Sequence, residues 1–375
     1  MKVCHVTSGH ANTDPRIFQK QCVSLAKAGY DVTLVAPGTG EKEESGVRVI
    51  GAGEKPVSRL KRMFRFSAQV AERAAALQAD IYHLHDPELL RYVGWLRGTG
   101  ALVVFDSHED VIEDIAEKPY IPPMFRGLVS RTYAVFFRRT AKKLAGLVSV
   151  TPHLQKKLES YCENTVMITN YPILTELPNR TIKKPGTSFI VCFTGNLSPL
   201  WNLVPAAQAV ETLDHAQLRI CGRPDEATLS QLRPRPSWNS KVQYLGQLSL
   251  AQAKQEQKDA DVGIALCGYC RNTGWKTGTL GNTKIFEYMA MGLPVVCTDF
   301  DLWEEFVERY HCGICVQPDD VQAISAALRE LQEHPEEAIR MGQNGQQAAR
   351  EEFNWASQEP VLLAFYQKLE QMRSV

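Results

Sequence analysis

The stretch Gly278–Val296 combines a glycine-containing loop with the start of a helix. Two glycines, the second of them Gly281, allow the backbone to approach a ligand closely. Asn282 or Thr283 is placed to cap a helix that runs to Met291. The free amides and the positive dipole end of such a helix point into the loop. The pattern therefore predicts a pyrophosphate site at the helix start.

Lys284 and Glu287 lie in the first turns of this predicted helix. A lysine in the first turn is unexpected, because the helix dipole alone favours an anion there. A bound phosphate would explain it. Glu287, one turn further along, is placed to accept two hydrogen bonds from a ribose diol. The competing interpretation is an ordinary amphipathic helix on which both side chains are solvated.

A second group of polar residues follows the predicted strand Leu102–Phe105. Asp106 and His108 are candidates for chemistry at the mouth of a ligand cleft. The alternative is a hydrogen-bonded pair that only holds the loop. The end of the preceding strand carries three further polar residues, which we interpret as structural or supporting: His83, His85 and Asp86.

The loop after the first strand supplies an acceptor-side group. Gly9 permits the close approach of an acceptor or a phosphate. The alternative for Arg16 is a simple ion pair with Asp14. The predicted acceptor-side residues are Ser8, Gly9, His10, Asp14 and Arg16.

Alternating strands and helices must position these residues. Short apolar runs followed by helical patterns predict parallel sheets covered by helices on both faces. Asp14-Pro15 opens the first helix and Gly29 closes it. The predicted strands are Lys2–Thr7, Tyr30–Ala36, Ile81–Leu84, Leu102–Phe105, Leu147–Val150, Phe189–Thr194, Leu218–Cys221, Val242–Leu245, Val262–Cys267, Val295–Thr298 and Gly313–Val316.

This alternation of strands and helices occurs twice, so we predict an α/β protein with two Rossmann-like domains facing across a cleft. Ligands of such folds bind outside the carboxyl ends of the strands. The predicted boundaries are an acceptor-side domain 1–174, a linker 175–188, a donor-binding domain 189–354 and a C-terminal helix 355–375, which would pack back on the first domain. Neither first strand is followed by GxGxxG, which disfavours a nicotinamide or flavin dehydrogenase.

Length and composition agree with two domains. The chain has 375 residues, with 44% hydrophobic and 22% charged residues, as in an ordinary globular protein. No apolar run is long enough for a transmembrane helix and no signal-peptide pattern precedes the first strand. We therefore expect a cytoplasmic protein. Two CxxC pairs, Cys267/Cys270 and Cys312/Cys315, are too far apart for a typical zinc ribbon, and we expect neither metal nor cofactor.

Charge divides unevenly along the chain. Residues 1–175 contain 23 Lys and Arg against 18 Asp and Glu, a net +5, and the remainder carries −5. The net charge of zero over the whole chain disfavours tight nucleic-acid binding. Two stretches, Lys55–Arg73 and Arg126–Lys143, interleave basic and aromatic residues. Either is a solvated helix face or a contact with an anionic membrane surface.

Several segments in order resemble glycosyltransferase family 4, a family of retaining enzymes with the GT-B fold. The donor-site signature of that family is similar to Asn282–Val296, with Lys284 and Glu287 as specific positions. The other similar segments are Asp14–Phe18, Ile81–Asp86, Phe105–Glu109, Asn170–Pro172 and Phe193–Leu197.

The resemblance implies a nucleotide-diphosphate sugar donor, retention at the anomeric carbon and no metal requirement. It makes His108 the residue that contacts the reacting sugar. The implied acceptor is a glycan or a lipid-linked molecule in cell-surface polysaccharide synthesis. The implied donor-binding residues are Gly195, Asn196, Gly222, Arg223, Thr279, Gly281, Asn282, Thr283, Lys284 and Glu287.

Two positions depart from the family pattern. Thr279 replaces the carboxylate that usually contacts the donor sugar. Asn196 and Trp201-Asn202 stand where basic residues usually contact the phosphates. Lys284, aided by Arg223, Arg271 or Lys276, would have to supply the charge. Two other functions stay open: a nucleotide-sugar epimerase with two similar domains, and a catalytically silent nucleotide-sugar binding protein.

Overall fold

The structure, a computed structural model, describes residues 1–117, 121–174, 187–271 and 273–374. It divides into two compact units: Met1–Asn170 together with Ala356–Val375, and Tyr171–Trp355. The first unit therefore ends four residues before the predicted boundary at 174. Most of the predicted linker, residues 175–186, lies outside the described ranges. None of the helices in those ranges is both long and apolar enough to cross a bilayer.

The first unit contains an eight-stranded sheet with the order β3-β4-β2-β1-β5-β6-β7-β8. All neighbouring strands are parallel except the antiparallel pair β3 and β4. Its strands are β1 (Lys2–Val6), β2 (Asp31–Ala36), β3 (Glu41–Glu44), β4 (Val47–Gly51), β5 (Ile81–Leu84), β6 (Leu102–Asp106), β7 (Gly146–Ser149) and β8 (Thr165–Met167).

Helices cover this sheet, and the first begins as the sequence predicts. The carboxylate of Asp14 accepts the amides of Arg16 and Ile17, and Gly29 has the positive φ of a helix-ending glycine. The helices are α1 (Val23–Lys27) after a π-helical Pro15–Cys22, α2 (Arg59–Lys61), a π-helical Arg62–Phe66 that leads into α3 (Ser67–Ala75), α4 (Val93–Arg97) after a 3-10 turn Pro87–Tyr92, α5 (Val111–Glu117), α6 (Pro123–Ala141), α7 (Pro152–Glu159) and the C-terminal helix (Trp355–Ser374).

The second unit contains a six-stranded parallel sheet with the order β11-β10-β9-β12-β13-β14. Its strands are β9 (Phe189–Thr194), β10 (Ala216–Cys221), β11 (Val242–Tyr244), β12 (Val262–Ala265), β13 (Val295–Thr298) and β14 (Gly313–Val316). Its helices are α8 (Leu203–Glu211), α9 (Glu226–Leu232), α10 (Leu250–Asp259), α11 (Thr283–Ala290), α12 (Asp301–Tyr310), α13 (Val321–Glu333) and α14 (Pro335–Glu351), with 3-10 turns at Pro199–Trp201 and Trp275–Thr277.

The predicted class, two Rossmann-like α/β units, is confirmed by these two parallel sheets. Three strands were not predicted, namely β3, β4 and β8. The side chains of β3 are all exposed and charged, and β8 has only three half-buried residues. Neither strand has the apolar pattern that a sequence prediction requires.

Candidate functional site

At the carboxyl edge of the first sheet, the loop after β1 wraps around a buried carboxylate, Asp86. The Oδ2 atom of Asp86 accepts the hydroxyl of Thr7 at 2.7 Å and the amides of Ser8 and Gly9 at 2.7 and 3.1 Å. A side chain on Gly9 would collide with this carboxylate. Gly9 therefore serves this internal contact.

Ser8 is buried, and its hydroxyl donates to Glu88 at 3.0 Å. The acceptor-side prediction for Ser8 thus falls on a side chain that is already engaged inside the protein. His10 and Asp14 remain nearer the surface, joined by a 3.2 Å contact between Nδ1 and Oδ2. Burial opposes ionisation of both, yet their pairing raises the pKa of His10 and lowers that of Asp14 to about 2.

Asp106 is completely buried at the end of β6 and forms an ion pair with Arg16. The Arg16 guanidinium donates to both carboxylate oxygens at 3.0 and 2.8 Å, and Gln21 donates to Oδ2 at 2.8 Å. Burial alone would raise the pKa of Asp106, but Arg16 and His108 hold it well below its usual range. Arg16 is buried as well, and its side chain pairs with Asp106, not with Asp14. Neither charge lies where a ligand would touch it, so Asp106 is a positioning residue.

His108 is the member of this group that reaches the surface, with 20% of its side chain exposed. Its Nε2 atom lies 3.4 Å from Asp106 and 3.4 Å from the Nδ1 atom of His85. Its ring centroid lies 5.0 Å from that of His10. The surface of this site therefore presents two imidazoles and the carboxylate of Asp14.

Beneath His108 lies a cluster that sequence reasoning found only in part. His83 and His85 were expected to be structural, but His5 and Tyr366 carried no local signal. All four are buried, and hydrogen bonds join them across β1, the end of β5 and the C-terminal helix.

Two groups of side chains in the described ranges are close enough to hold an ion: His5, His83 and His85, and His85, Asp106 and His108. In the first, the rings stack with interplanar angles of 15°, 17° and 32°. Imidazole nitrogens bind metals in the ring plane, and nearly parallel planes do not converge on one point. In the second, Asp106 already accepts three hydrogen bonds from Arg16 and Gln21.

In the second unit, Lys284 lies directly against the loop that follows β9. A side chain on Gly195, which has a φ of 139°, would collide with the lysine methylenes. The ammonium stands 3.9 Å above the Trp201 ring and 5.5 Å from that of Phe193. Burial lowers its pKa, although Glu287 opposes this shift. The structure thus brings Lys284 against Gly195 and Trp201, which lie far from it in sequence.

The start of α11 differs from the prediction in one respect. Asn282 occupies the cap position, but its side chain forms no capping hydrogen bond and contacts the thiol of Cys267. The hydroxyl of Thr279 accepts the amide of Gly281 at 3.0 Å, and the carbonyl of Thr279 accepts the indole of Trp303 at 2.7 Å. Thr279 therefore fixes the loop, while no side chain in the described part of the chain caps the first amides of the helix, including that of Thr283.

Other predicted donor-site residues gather around the same loop. The carbonyl of Gly195 would collide with any side chain on Gly222. The amide of Leu197, next to exposed Asn196, donates to the carbonyl of Arg223 at 3.0 Å. Arg223 is exposed, and Glu287 is half-buried. Within the described ranges, neither side chain has a hydrogen bond or an ion pair.

Lys276 was expected to be an alternative source of charge, but Asp299 already binds its ammonium at 2.5 Å. The carboxylate also accepts the hydroxyl of Tyr269. Lys284 and Arg223, by contrast, have no ion pair within the described ranges and remain available for a phosphate.

Comparisons with known proteins agree with this geometry. A family described as "Glycosyl transferase 4-like domain" matches residues 16–164, and one described as "Glycosyl transferases group 1" matches residues 178–348. The chain is 25% identical to a phosphatidyl-myo-inositol mannosyltransferase of Mycobacterium leprae over 77% of this chain and 73% of the relative.

Two solved structures have a similar fold. A sucrose-phosphate synthase from Thermosynechococcus elongatus has a TM-score of 0.78 and 16% identity, and the match covers 99% of both chains. HepE of Anabaena, solved in complex with UDP-glucose, has a TM-score of 0.69 and 14% identity, and the match covers 100% of this chain and 99% of the other.

Proposed function

Because the chain belongs to glycosyltransferase family 4, whose members have the GT-B fold, we propose that it moves a sugar from a nucleotide-diphosphate sugar to a glycan or lipid-linked acceptor, with retention at the anomeric carbon. Cell-surface polysaccharide synthesis is the proposed setting. One similar protein is a mannosyltransferase whose name includes the lipid phosphatidyl-myo-inositol. Another was solved in complex with UDP-glucose. The first supports a lipid-linked acceptor, and the second supports a nucleotide-sugar donor.

One observation carries the donor assignment: Lys284 lies at an uncapped helix start and against the glycine loop after β9. Uncapped amides, the helix dipole and a cation together suit a pyrophosphate. The ammonium rests on Trp201, whose ring attracts a cation less strongly than a phosphate does. Donor binding would therefore replace a weak contact with a stronger one.

In this proposal catalysis is mainly positioning and electrostatic stabilisation. Lys284 and the amides of α11 stabilise the charge that develops on the leaving phosphate. Glu287, whose side chain has no hydrogen bond or ion pair among the described residues, binds the ribose. His108 contacts the reacting sugar, and Asp106 holds His108 in place. The reaction then requires no metal, and transfer should continue in the presence of EDTA.

The test is a calorimetric titration with UDP, GDP and ADP, followed by incubation with the corresponding sugar nucleotides. We expect one diphosphate to bind and its sugar to be transferred to an acceptor. An epimerised sugar nucleotide formed without an acceptor would indicate an epimerase. Binding without any turnover would indicate a silent binding protein. If none of the diphosphates bound, the donor assignment would be wrong.

We further propose that α6 docks this protein on the anionic cytoplasmic face of a membrane. Its exposed side chains include Met124 at 81% and Leu128 at 65%, with Phe125, Val135 and Phe136 also exposed. Soluble proteins rarely present so many large apolar residues on one helix without a partner. Basic residues flank them: Arg126, Arg131, Arg138, Arg139, Lys142 and Lys143.

The other basic stretch, Lys55–Arg73, is less suited to membrane contact. Lys55 donates to the carbonyl of Gly9 at 2.6 Å, and Arg62 lies 3.4 Å from Glu88. These cations support the loop after β1, and the membrane proposal therefore concerns α6 alone.

Co-sedimentation with vesicles tests the membrane proposal. We expect binding to anionic but not to neutral vesicles, and its loss at high salt as charges are screened. The triple change Arg131→Glu, Arg139→Glu and Lys142→Glu should abolish binding, since each cation near the surface contributes about 1 kcal/mol. The matched control changes Arg233, Arg329 and Arg340 of the second unit to Glu, and should bind as before. Absence of binding at low salt would favour a soluble acceptor.

A further inference from the structure

A continuous chain of hydrogen bonds runs from the C-terminal helix to His108. The hydroxyl of Tyr366 lies 2.8 Å from Nδ1 of His83 and 3.3 Å from Nε2 of His5. Nδ1 of His5 lies 2.9 Å from Nε2 of His85, and Nδ1 of His85 lies 3.4 Å from Nε2 of His108. The four inner side chains are buried.

The inner rings are neutral. Burial lowers the pKa of His5 and of His83 well below the usual range and lowers that of His85 to about 3. A neutral imidazole donates from one nitrogen and accepts at the other. Each link therefore fixes the next, and two arrangements are consistent when the Tyr366 hydroxyl also donates within the chain.

In the first arrangement, His5, His83 and His85 all carry the proton on Nδ1, and the Tyr366 hydroxyl donates to Nε2 of His5. In the second, all three carry it on Nε2, and Tyr366 donates to Nδ1 of His83. The two arrangements differ at their ends, and the inner end distinguishes them.

At the inner end, Nε2 of His83 is buried and has no hydrogen-bond partner in the described part of the chain. The first arrangement leaves an unpaired lone pair there, whereas the second leaves an unpaired N–H. Buried N–H groups without a partner are the rarer of the two. This end favours the first arrangement.

At the outer end, Asp106 Oδ2 faces two ring nitrogens, Nδ1 of His85 at 3.6 Å and Nε2 of His108 at 3.4 Å. A carboxylate accepts only, so it favours a proton on either nitrogen and does not distinguish the two arrangements. The inner end therefore decides between them. In the first arrangement, Nδ1 of His85 donates to Nε2 of His108, at 3.4 Å.

We infer that Tyr366 and the three buried histidines form a tautomer relay that makes Nε2 of His108 an acceptor and keeps the His108 proton on Nδ1. Tyr366 is a positioning residue that acts through the rings between it and His108. The consequence for sugar transfer rests on the proposed function, because His108 would then present a donor at Nδ1 to a sugar oxygen. The tautomers themselves do not depend on that function.

The test is nitrogen NMR of the full chain with 15N-labelled histidine, where the two ring nitrogens resonate in separate ranges when protonated and unprotonated. We expect His5, His83, His85 and His108 all to be protonated at Nδ1 and not at Nε2. Each ring is assigned by the loss of its signals in the single His→Gln variant. Nε2 protonation of the three inner rings would overturn the inference.

The variant Tyr366→Phe removes the hydroxyl that couples His5 to His83. We expect the signals of His83 and His5 to move towards the Nε2-protonated form or towards a mixture, and those of His108 to shift with them. The matched control is Tyr30→Phe, because the Tyr30 ring packs edge-on against Tyr366 at 5.7 Å and its hydroxyl bonds Glu370 instead. The control should leave all four rings unchanged.

Both variants should melt cooperatively above the temperature of the NMR measurement, which excludes unfolding as the cause, although the loss of a buried hydroxyl lowers the melting temperature of Tyr366→Phe. Unchanged tautomers in Tyr366→Phe would contradict the coupling. If the tautomers are as stated but no sugar nucleotide is turned over, the relay stands and the proposed function fails.

Discussion

The polar edges of the two units differ in how completely their charges are paired. In the first unit Asp86 and Asp106 are surrounded by internal donors, and Arg16 is locked to Asp106. In the second unit Lys284 rests on an aromatic ring, and the side chains of Glu287 and Arg223 have no hydrogen bond or ion pair within the described ranges. A fully paired site is built before a ligand arrives, whereas a site with available charges gains its partners from the ligand. This contrast predicts where mutations affect stability and where they affect binding.

The largest expected effect is on stability, in the first unit. Arg16→Met leaves Asp106 buried without its counter-charge, and we expect a loss of about 3–5 kcal/mol in the free energy of unfolding. Urea unfolding measures this loss. The matched control is Arg340→Met, which removes an exposed pair with Glu337 and should cost about 0–1 kcal/mol. Similar losses in the two variants would mean that the buried pair stabilises the fold no more than the exposed pair does.

The next effect is on binding, in the second unit. Lys284→Met should weaken nucleoside diphosphate binding by about 1.5–3 kcal/mol, the range for a hydrogen bond to a charged group. Binding of the nucleoside alone should change little. Isothermal titration with both ligands measures the difference. The control is Lys276→Met, because Asp299 already binds that ammonium. Equal losses for nucleoside and diphosphate would show that Lys284 does not contact phosphate.

Glu287 tests the other available charge in the same loop region. Glu287→Ala should weaken ribonucleotide binding by about 1.5–3 kcal/mol, while a nucleotide lacking the ribose hydroxyls should bind both proteins equally. The comparison of these two ligands isolates the ribose contact. If the variant lost affinity equally for both, Glu287 would act on the loop and not on the ribose.

The smallest effect is the pH dependence of the Asp14 cap in the first unit. The folded pKa of Asp14 is about 2, below its unfolded value of 3.8, so its contribution to stability is present above pH 4 and is lost as the pH falls. Between pH 5 and pH 3 the wild type should lose about 1 kcal/mol relative to Asp14→Asn. Asparagine is an equally good cap without the charge. Parallel unfolding curves at the two pH values would contradict the pKa shift.

Short-range patterns in the sequence predicted most of the fold and the donor loop. Strands such as Phe189–Thr194 and Val295–Thr298 agree with the structure because a buried parallel strand is a short apolar run. The Asp14 cap and the helix that follows Asn282 depend on residues within one turn of each other. The exposed strand β3 was missed because it buries no side chain.

Contacts between residues that are distant in sequence were determined only by the tertiary structure. Arg16 and Asp106 lie 90 positions apart, and His83 and Tyr366 lie 283 apart. No local pattern predicts such pairs, because the strand order of the sheet and the return of the C-terminal helix bring them together. The same holds for Lys284, whose type and position the sequence gives but whose contact with Trp201 depends on packing between β9 and α11. Sequence thus determined which residues are available for chemistry, and packing determined which of them are buried as supports and which stay available to a ligand.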